Sequence, residues 1–380
     1  MKNTKQHFFL KGAIGLASTL YSALKLLPVH EKVVLISRMN RTTSVDFELL
    51  EREIKHKYPG VKVVILNHRM KSRFSHIFDV LDEMYHLATA QAAIIDSYVI
   101  AVSLFNHREK MIIVQIWHAL GAIKKFGYAT VDKPAGNTRD IAKVMRMHKN
   151  YTFVTCGSAA MAPAFSECFG LGSQEGQIRP IGMPRVDYLL SEEARVKAQT
   201  NMKMLFPKLA GGGSSCRKVI LYAPTFRKKG KISPQKLIDS IDFDKYALII
   251  KQHTLDKTKL AQNENVRVIE DEICSLDLLN SVDFVVTDYS AIAFEAAVLE
   301  KPLFFWAYDY EKYAKSCGFA LDYRKEMPGV VSGEARKIMR AIDDFEDGEI
   351  QKIRKFKDKY ISVQDGTSTE KIVELLCLEN

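Results

Sequence analysis

An imidazole stands where an apolar run ends. Met111-Ile112-Ile113-Val114-Gln115-Ile116 has the character of a buried strand, and Trp117-His118 follow it directly, with Gly121 and Lys124-Lys125 shortly after. In open α/β sheets ligands sit at the C-terminal ends of strands. A histidine there titrates near neutral pH and can take the proton of a hydroxyl. The alternative is a core histidine held by a backbone carbonyl.

Three further segments carry chemistry. Tyr222-Ala223-Pro224-Thr225-Phe226-Arg227-Lys228-Lys229-Gly230 leaves a strand and turns into a basic loop. Thr225 and the planar fork of Arg227 suit a phosphate; a solvated basic loop is the plainer alternative. Lys251-Gln252-His253 ends another strand, and Lys251 and His253 share a side if the strand continues. Thr287-Asp288-Tyr289-Ser290 ends a third and opens a helix of small residues. Ser290 is the expected N-cap, and the free N–H groups beside it would seat an anion. Glu295, one turn in, is either an acceptor for a ribose hydroxyl or the usual acidic residue of a first helical turn.

Strands alternating with helices must position these groups. Strands are expected at 32–37, 61–66, 92–96 and 111–116, with helices at 45–57, 74–89 and 158–169. Ser158 is a candidate N-cap and Gly170 a stop signal, although Pro163 interrupts the helical pattern. Leu205 to Arg217 holds Pro207 and Gly211-Gly212-Gly213-Ser214-Ser215, which reads as a linker or long loop. The alternation restarts with strands at 218–222, 246–250, 266–269, 283–287 and 302–306. This is an α/β chain of two Rossmann-like halves that would face each other across a cleft. The expected division is a terminal helix over 1–28, a first domain over 29–205, a linker over 206–217 and a second domain over 218–380.

The bulk numbers agree. The 380 residues are long for one core and suit two. A formal charge of +10 suits an anionic partner. Nucleic acid is least favoured, because no zinc-finger spacing or RNP-like box occurs. Cys156, Cys168, Cys216, Cys274, Cys317 and Cys377 are scattered, which speaks for a reducing compartment and against a zinc site. Residues up to Leu27 are mostly apolar, but Lys11 and Lys25 interrupt them, so a spanning helix is not expected. An amphipathic helix on the anionic inner leaflet is preferred to a first helix packed on the domain or a signal peptide.

Taken in order, several segments resemble the CDP-glycerol glycerophosphotransferase family of teichoic-acid synthesis. They are Trp117-His118 with Gly121 and Lys124-Lys125, Gly182-Met183-Pro184-Arg185-Val186-Asp187, Tyr222 to Arg227, His253, and Thr287-Asp288-Tyr289-Ser290. Lys301-Pro302, Tyr308-Asp309-Tyr310-Glu311-Lys312-Tyr313 and Gly318-Phe319 complete the set. The resemblance implies a GT-B-like fold. It also implies transfer of a polyol phosphate, glycerol phosphate before ribitol phosphate, from a CDP-polyol to a hydroxyl of a polyprenyl-linked glycan, releasing CMP. His118 would be the general base and His253 would bind the donor pyrophosphate. Thr225, Arg227, Lys251, Asp288, Ser290 and Glu295 complete the expected donor set. Trp117, Gly121, Lys124 and Arg185 are assigned to the acceptor side or its loop. No Asp-x-Asp pair is placed to hold a metal, and no cofactor is expected. The enzyme would work peripherally at the cytoplasmic face of the membrane.

The chain departs from the family pattern at three points. Ala119-Leu120 separate His118 from its Gly, Lys251-Gln252-His253-Thr254 stands for Arg-x-His-Pro, and Ala291 replaces a second serine. Lysine keeps the charge but loses the bidentate fork. Two other functions compete: a GT-B glycosyltransferase using a nucleotide sugar, and a non-catalytic membrane-bound nucleotide-binding scaffold.

Overall fold

The computed structural model describes residues 2–39, 42–68, 73–172, 176–210, 217–227, 234–253, 256, 258–270 and 272–378. The Gly-Ser run at 211–215, Cys216, Lys228, Lys229, Gly230 and Thr254 lie outside this set. The chain forms two compact units. One takes Met1–His118, Lys125–Pro184 and Thr367–Asn380; the other takes Ala119–Lys124 and Arg185–Gly366. The units therefore part at Pro184 and not at the Gly-Ser run. Pro207–Ala210, expected to be linker, is a turn of helix.

The first unit is built on six parallel strands in the order β2-β1-β3-β4-β5-β6. They are β1 (Lys32–Ser37), β2 (Lys62–Asn67), β3 (Ala92–Ile95), β4 (Ile112–Gln115), β5 (Phe153–Thr155) and β6 (Ile178–Arg179). Every residue of β1 and β3 is buried, as befits a parallel sheet covered on both faces. Helix Val45–Lys57 shows why local sequence sufficed. Ser44 caps it by accepting from the Phe47 N–H, acidic residues fill its first turn and basic ones its last. Its buried Phe47, Leu50 and Ile54 recur at helical spacing and face the sheet core. Ile372 and Val373 of helix Ser368–Glu374 enter that same core.

The amino-terminal helix Lys2–Leu24 is anchored at its end. Tyr21 is buried, stacks on Phe105 at 5.0 Å, and hydrogen-bonds through its hydroxyl to His107 Nδ1 at 2.6 Å. Leu16 and Leu20 on the same helix remain exposed. Among the described residues no helix is long and apolar enough to cross a membrane.

The second unit has six parallel strands in the order β12-β11-β10-β7-β8-β9. They are β7 (Lys218–Tyr222), β8 (Tyr246–Lys251), β9 (Val266–Ile269), β10 (Phe284–Thr287), β11 (Leu303–Trp306) and β12 (Val331–Ser332). Counted within the unit this is the Rossmann order, and it reverses between β7 and β10. That switch point is where doubly wound folds open a binding crevice. In the first unit the reversal falls between β1 and β3.

Candidate active site

In the first unit the functional groups gather where β1, β3 and β4 end. Gln115 is a fully buried amide at the last position of β4, opposite Ile95 of β3. Its Nε2 donates to the Ser97 carbonyl at 3.0 Å, and its Oε1 accepts from the Trp117 N–H at 2.8 Å. Trp117 lies at φ +59°, a region that bulky L-residues avoid and that typically costs about 1–3 kcal/mol. Its indole stacks on Phe126 at 4.4 Å and meets Phe169 edge-on at 5.3 Å. His118 lies against the indole at 4.1 Å.

The His118 Nδ1 sits 3.1 Å from the carbonyl oxygen of Asp96. A carbonyl only accepts, so Nδ1 carries the hydrogen and Nε2 carries the lone pair of the neutral ring. The backbone-carbonyl contact of the plainer reading is thus present, and it favours the tautomer with the hydrogen on Nδ1. His148, in the same aromatic cluster, is different. Burial pushes its pKa down to about 3, so it stays neutral at working pH.

Deeper at the β1 end, Arg38 forms a bidentate pair with the fully buried Glu83, both N–O distances from Nη2 being 2.8 Å. His68 approaches the same carboxylate at 3.4 Å.

In the second unit, Asp288 organises the switch point. Its Oδ1 accepts from the Thr225 N–H at 2.8 Å and from the Tyr289 N–H, its Oδ2 takes an Arg227 Nη2 at 2.8 Å, and its carbonyl accepts from the Tyr323 hydroxyl. The β7 and β10 ends are thereby tied together. Thr225 is almost fully buried, and its hydroxyl finds no hydrogen-bond partner among the described residues.

Arg227 does not present the expected fork. Its guanidinium is bound by Asp309 through two bonds, by Asp288 through one and by the Thr225 carbonyl, and it lies over the rings of Tyr289 and Tyr313. Two carboxylates around one guanidinium leave no excess positive charge for phosphate. The residue is a buried clamp.

Two other expectations change. Helix Ile292–Val298 starts one residue later than expected, with Ala291 at the cap position, while the Ser290 hydroxyl accepts from the Ile292 N–H at 3.4 Å. Glu295 is 3% exposed and paired with Arg185 at 2.9 Å, and it is the acidic residue of the helix's first turn, one of its two expected readings. Arg185 is that partner, and not a loop residue.

Lys251 donates to the Ile273 carbonyl at 2.8 Å. His253 is exposed just past the end of β8, with its ring stacked on Phe226 at 4.6 Å. Gly121 packs where an added Cβ would come 2.5 Å from the Phe294 ring. Lys124 is exposed and bridges through its backbone to Phe319.

Asp309 and Gln115 went unassigned from sequence. The available signals were a carboxylate shortly after an apolar strand and one amide inside an apolar run.

Known proteins share this architecture. The wall teichoic acid polymerase TagF superposes with a TM-score of 0.74 at 20% identity, over 99% of this chain and 97% of that one. A UDP-GlcNAc 2-epimerase from Neisseria meningitidis gives a TM-score of 0.56 at 15% identity, over 91% of this chain and 99% of that one. At these identities the likeness is one of fold. By sequence, the chain is 30% identical to the teichoic acid ribitol-phosphate primase of Bacillus spizizenii strain W23, over 97% of this chain and 96% of that protein. It is 26% identical to the teichoic acid glycerol-phosphate primase of Bacillus subtilis strain 168, over 85% and 81%. The family model for CDP-Glycerol:Poly(glycerophosphate) glycerophosphotransferase matches residues 19–378, and the chain belongs to that family.

Proposed function

We propose that this protein transfers ribitol phosphate from CDP-ribitol to a hydroxyl of a polyprenyl-linked glycan acceptor, releasing CMP, as a priming step of teichoic-acid synthesis. The chemistry rests on the tautomer of His118, whose Nδ1–H is held by Asp96. Nε2 accepts the proton of the acceptor hydroxyl as its oxygen attacks the β-phosphorus in line. The bond to the CMP oxygen breaks, and CMP leaves with the electron pair. Lys251, His253, the Thr225 hydroxyl and the Ser290 turn bind the donor phosphates and offset the charge that develops, which is the main demand of phosphoryl transfer. Arg227 and Asp288 hold that set in place.

Sequence alone put glycerol phosphate first; the near end-to-end match to a ribitol-phosphate primase supports ribitol instead. The amino-terminal helix supports a peripheral place on the anionic inner leaflet. Leu16, Leu20, Leu26 and Leu27 are exposed beside Lys11 and Lys25, a pattern suited to lying at a membrane surface. A Leu16→Glu, Leu20→Glu double variant should then stop pelleting with anionic vesicles; undiminished pelleting refutes the placement.

The deciding experiment follows CMP release with CDP-ribitol, CDP-glycerol and a UDP-sugar in parallel, on a lipid-linked disaccharide acceptor with and without a glycerol-phosphate extension. CMP from CDP-ribitol alone, lost in His118→Ala, establishes the proposal. CMP from CDP-glycerol alone reassigns the donor, and UDP release reassigns the reaction to glycosyl transfer.

A further inference from the structure

A buried glutamine inside an apolar parallel strand requires an explanation. An amide in the core is tolerated only when fully hydrogen-bonded, and both functional ends of Gln115 are engaged. The orientation of the amide is unambiguous, because one partner is a carbonyl and the other an N–H. These partners have a pattern. The carbonyls of Asp96 and Ser97, the two residues just past the end of β3, hold the His118 ring and the Gln115 amide respectively. Gln115 passes that constraint to the Trp117 N–H, which has left the strand ladder at a positive φ. Strained backbone persists only where its surroundings over-determine it. Here they are the amide below and the Phe126 stack above.

We infer that Gln115 is a positioning residue for the transfer reaction: it holds Trp117 in the left-handed turn that sets the His118 Nδ1 against the Asp96 carbonyl. The inference rests on the assignment of His118 as the base. Without the Gln115 carbonyl oxygen, the Trp117 N–H has no acceptor, the turn relaxes to negative φ, and the imidazole leaves the Asp96 carbonyl. Misplacement of a catalytic group by about 1 Å can lower turnover about 100-fold.

The test compares Gln115→Leu, Gln115→Glu and His118→Ala in the full chain, measuring kcat and the KM for the CDP-polyol. A second readout comes from Trp117 fluorescence with Trp306→Phe as background, since the chain has only 2 tryptophans. The Trp117 indole lies 4.1 Å from the His118 ring, so adding His118→Ala to this background should change its emission.

Gln115→Leu is expected to lose about 100-fold in kcat with KM for the donor within about twofold, and to lose the emission change. Gln115→Glu keeps an acceptor for the Trp117 N–H and is expected to retain the emission change. It decides the matter if the leucine variant does not fold. A folded Gln115→Leu with unaltered kcat and emission overturns the inference, as does loss of the emission change in a folded Gln115→Glu. Full turnover in His118→Ala removes the base assignment and the inference together. An inert His118→Ala beside a fully active Gln115→Leu removes only the inference.

Discussion

The guanidinium of Arg227 and the carboxylate of Asp309 are joined by two parallel hydrogen bonds, Nε to Oδ2 at 2.9 Å and Nη2 to Oδ1 at 3.0 Å. Both side chains are largely buried, so breaking the pair strands a charge away from water. Arg227→Ala should lower unfolding free energy by about 3–5 kcal/mol, read by urea denaturation. Asp309→Asn adds a pH signature. Burial alone would raise the Asp309 pKa, but the hydrogen bonds and charge of Arg227 outweigh it and hold the carboxyl below its ordinary 3.8. Its contribution is therefore whole above pH 3.8 and is lost as pH falls through the lowered native value. The stability gap between wild type and Asp309→Asn should close in strong acid, and a gap independent of pH contradicts the pairing.

Thr225 should behave in the opposite way. Its buried hydroxyl lacks a partner among the described residues, so Thr225→Val removes an unpaired polar group at nearly constant shape. Stability should hold or rise by about 1 kcal/mol, while affinity for the CDP-polyol falls about tenfold, the equivalent of one hydrogen bond of about 1.4 kcal/mol. Calorimetry with unchanged donor affinity removes Thr225 from the donor set.

Loss of the His118 imidazole should lower kcat by about 10²–10⁴-fold, the usual range for general-base catalysis. Donor binding to His118→Ala should stay within about twofold, far short of the 1.4 kcal/mol that a tenfold change represents. Equal losses in turnover and donor affinity would make His118 a binding residue.

Gly121 is fixed by contact. A methyl group there would press into the Phe294 ring at 2.5 Å, and that ring is wedged between Phe356 and Tyr360. Gly121→Ala should destabilise by about 1–3 kcal/mol through overpacking. Combining it with Phe294→Leu should recover part of the loss; additive losses would show the two sites to be independent.

His68 gives the first unit a stability term of opposite sign to that of Asp309. Hydrogen bonding to Glu83 raises its pKa above 6.5, against burial. The stabilisation is complete below pH 6.5 and disappears as pH rises through the elevated native value. His68→Ala should therefore cost more stability at pH 5.5 than at pH 8.5, and an equal cost at both refutes it.

Much of the scaffold was legible in sequence because its strands are buried on both faces. Lys32–Ser37, Lys218–Tyr222 and Val266–Ile269 fall where apolar runs and their flanks predict. Phe153–Thr155, Ile178–Arg179 and Val331–Ser332 did not stand out, since two or three residues carry no periodicity. Which side chains would partner one another was less legible. Arg227 read as a phosphate fork because nothing local announces that Asp309, 82 positions on, claims it. Glu295 likewise meets Arg185 across 110 positions. Ser290 was displaced from the cap by a single residue, within the uncertainty of any helix boundary.

Helix Ser368–Glu374 has a consequence for synthesis. Its Ile372 and Val373 complete a core whose other members, such as Val33, Leu50 and Ile94, leave the ribosome hundreds of residues earlier. The first sheet to be translated is thus among the last to be sealed. Between those two events the whole of the second sheet is made, and its own core draws on none of the late residues. The nascent chain waits with an open apolar face, and closing contacts at that separation is slow. The amino-terminal half is accordingly the part of this protein that most needs a chaperone during translation.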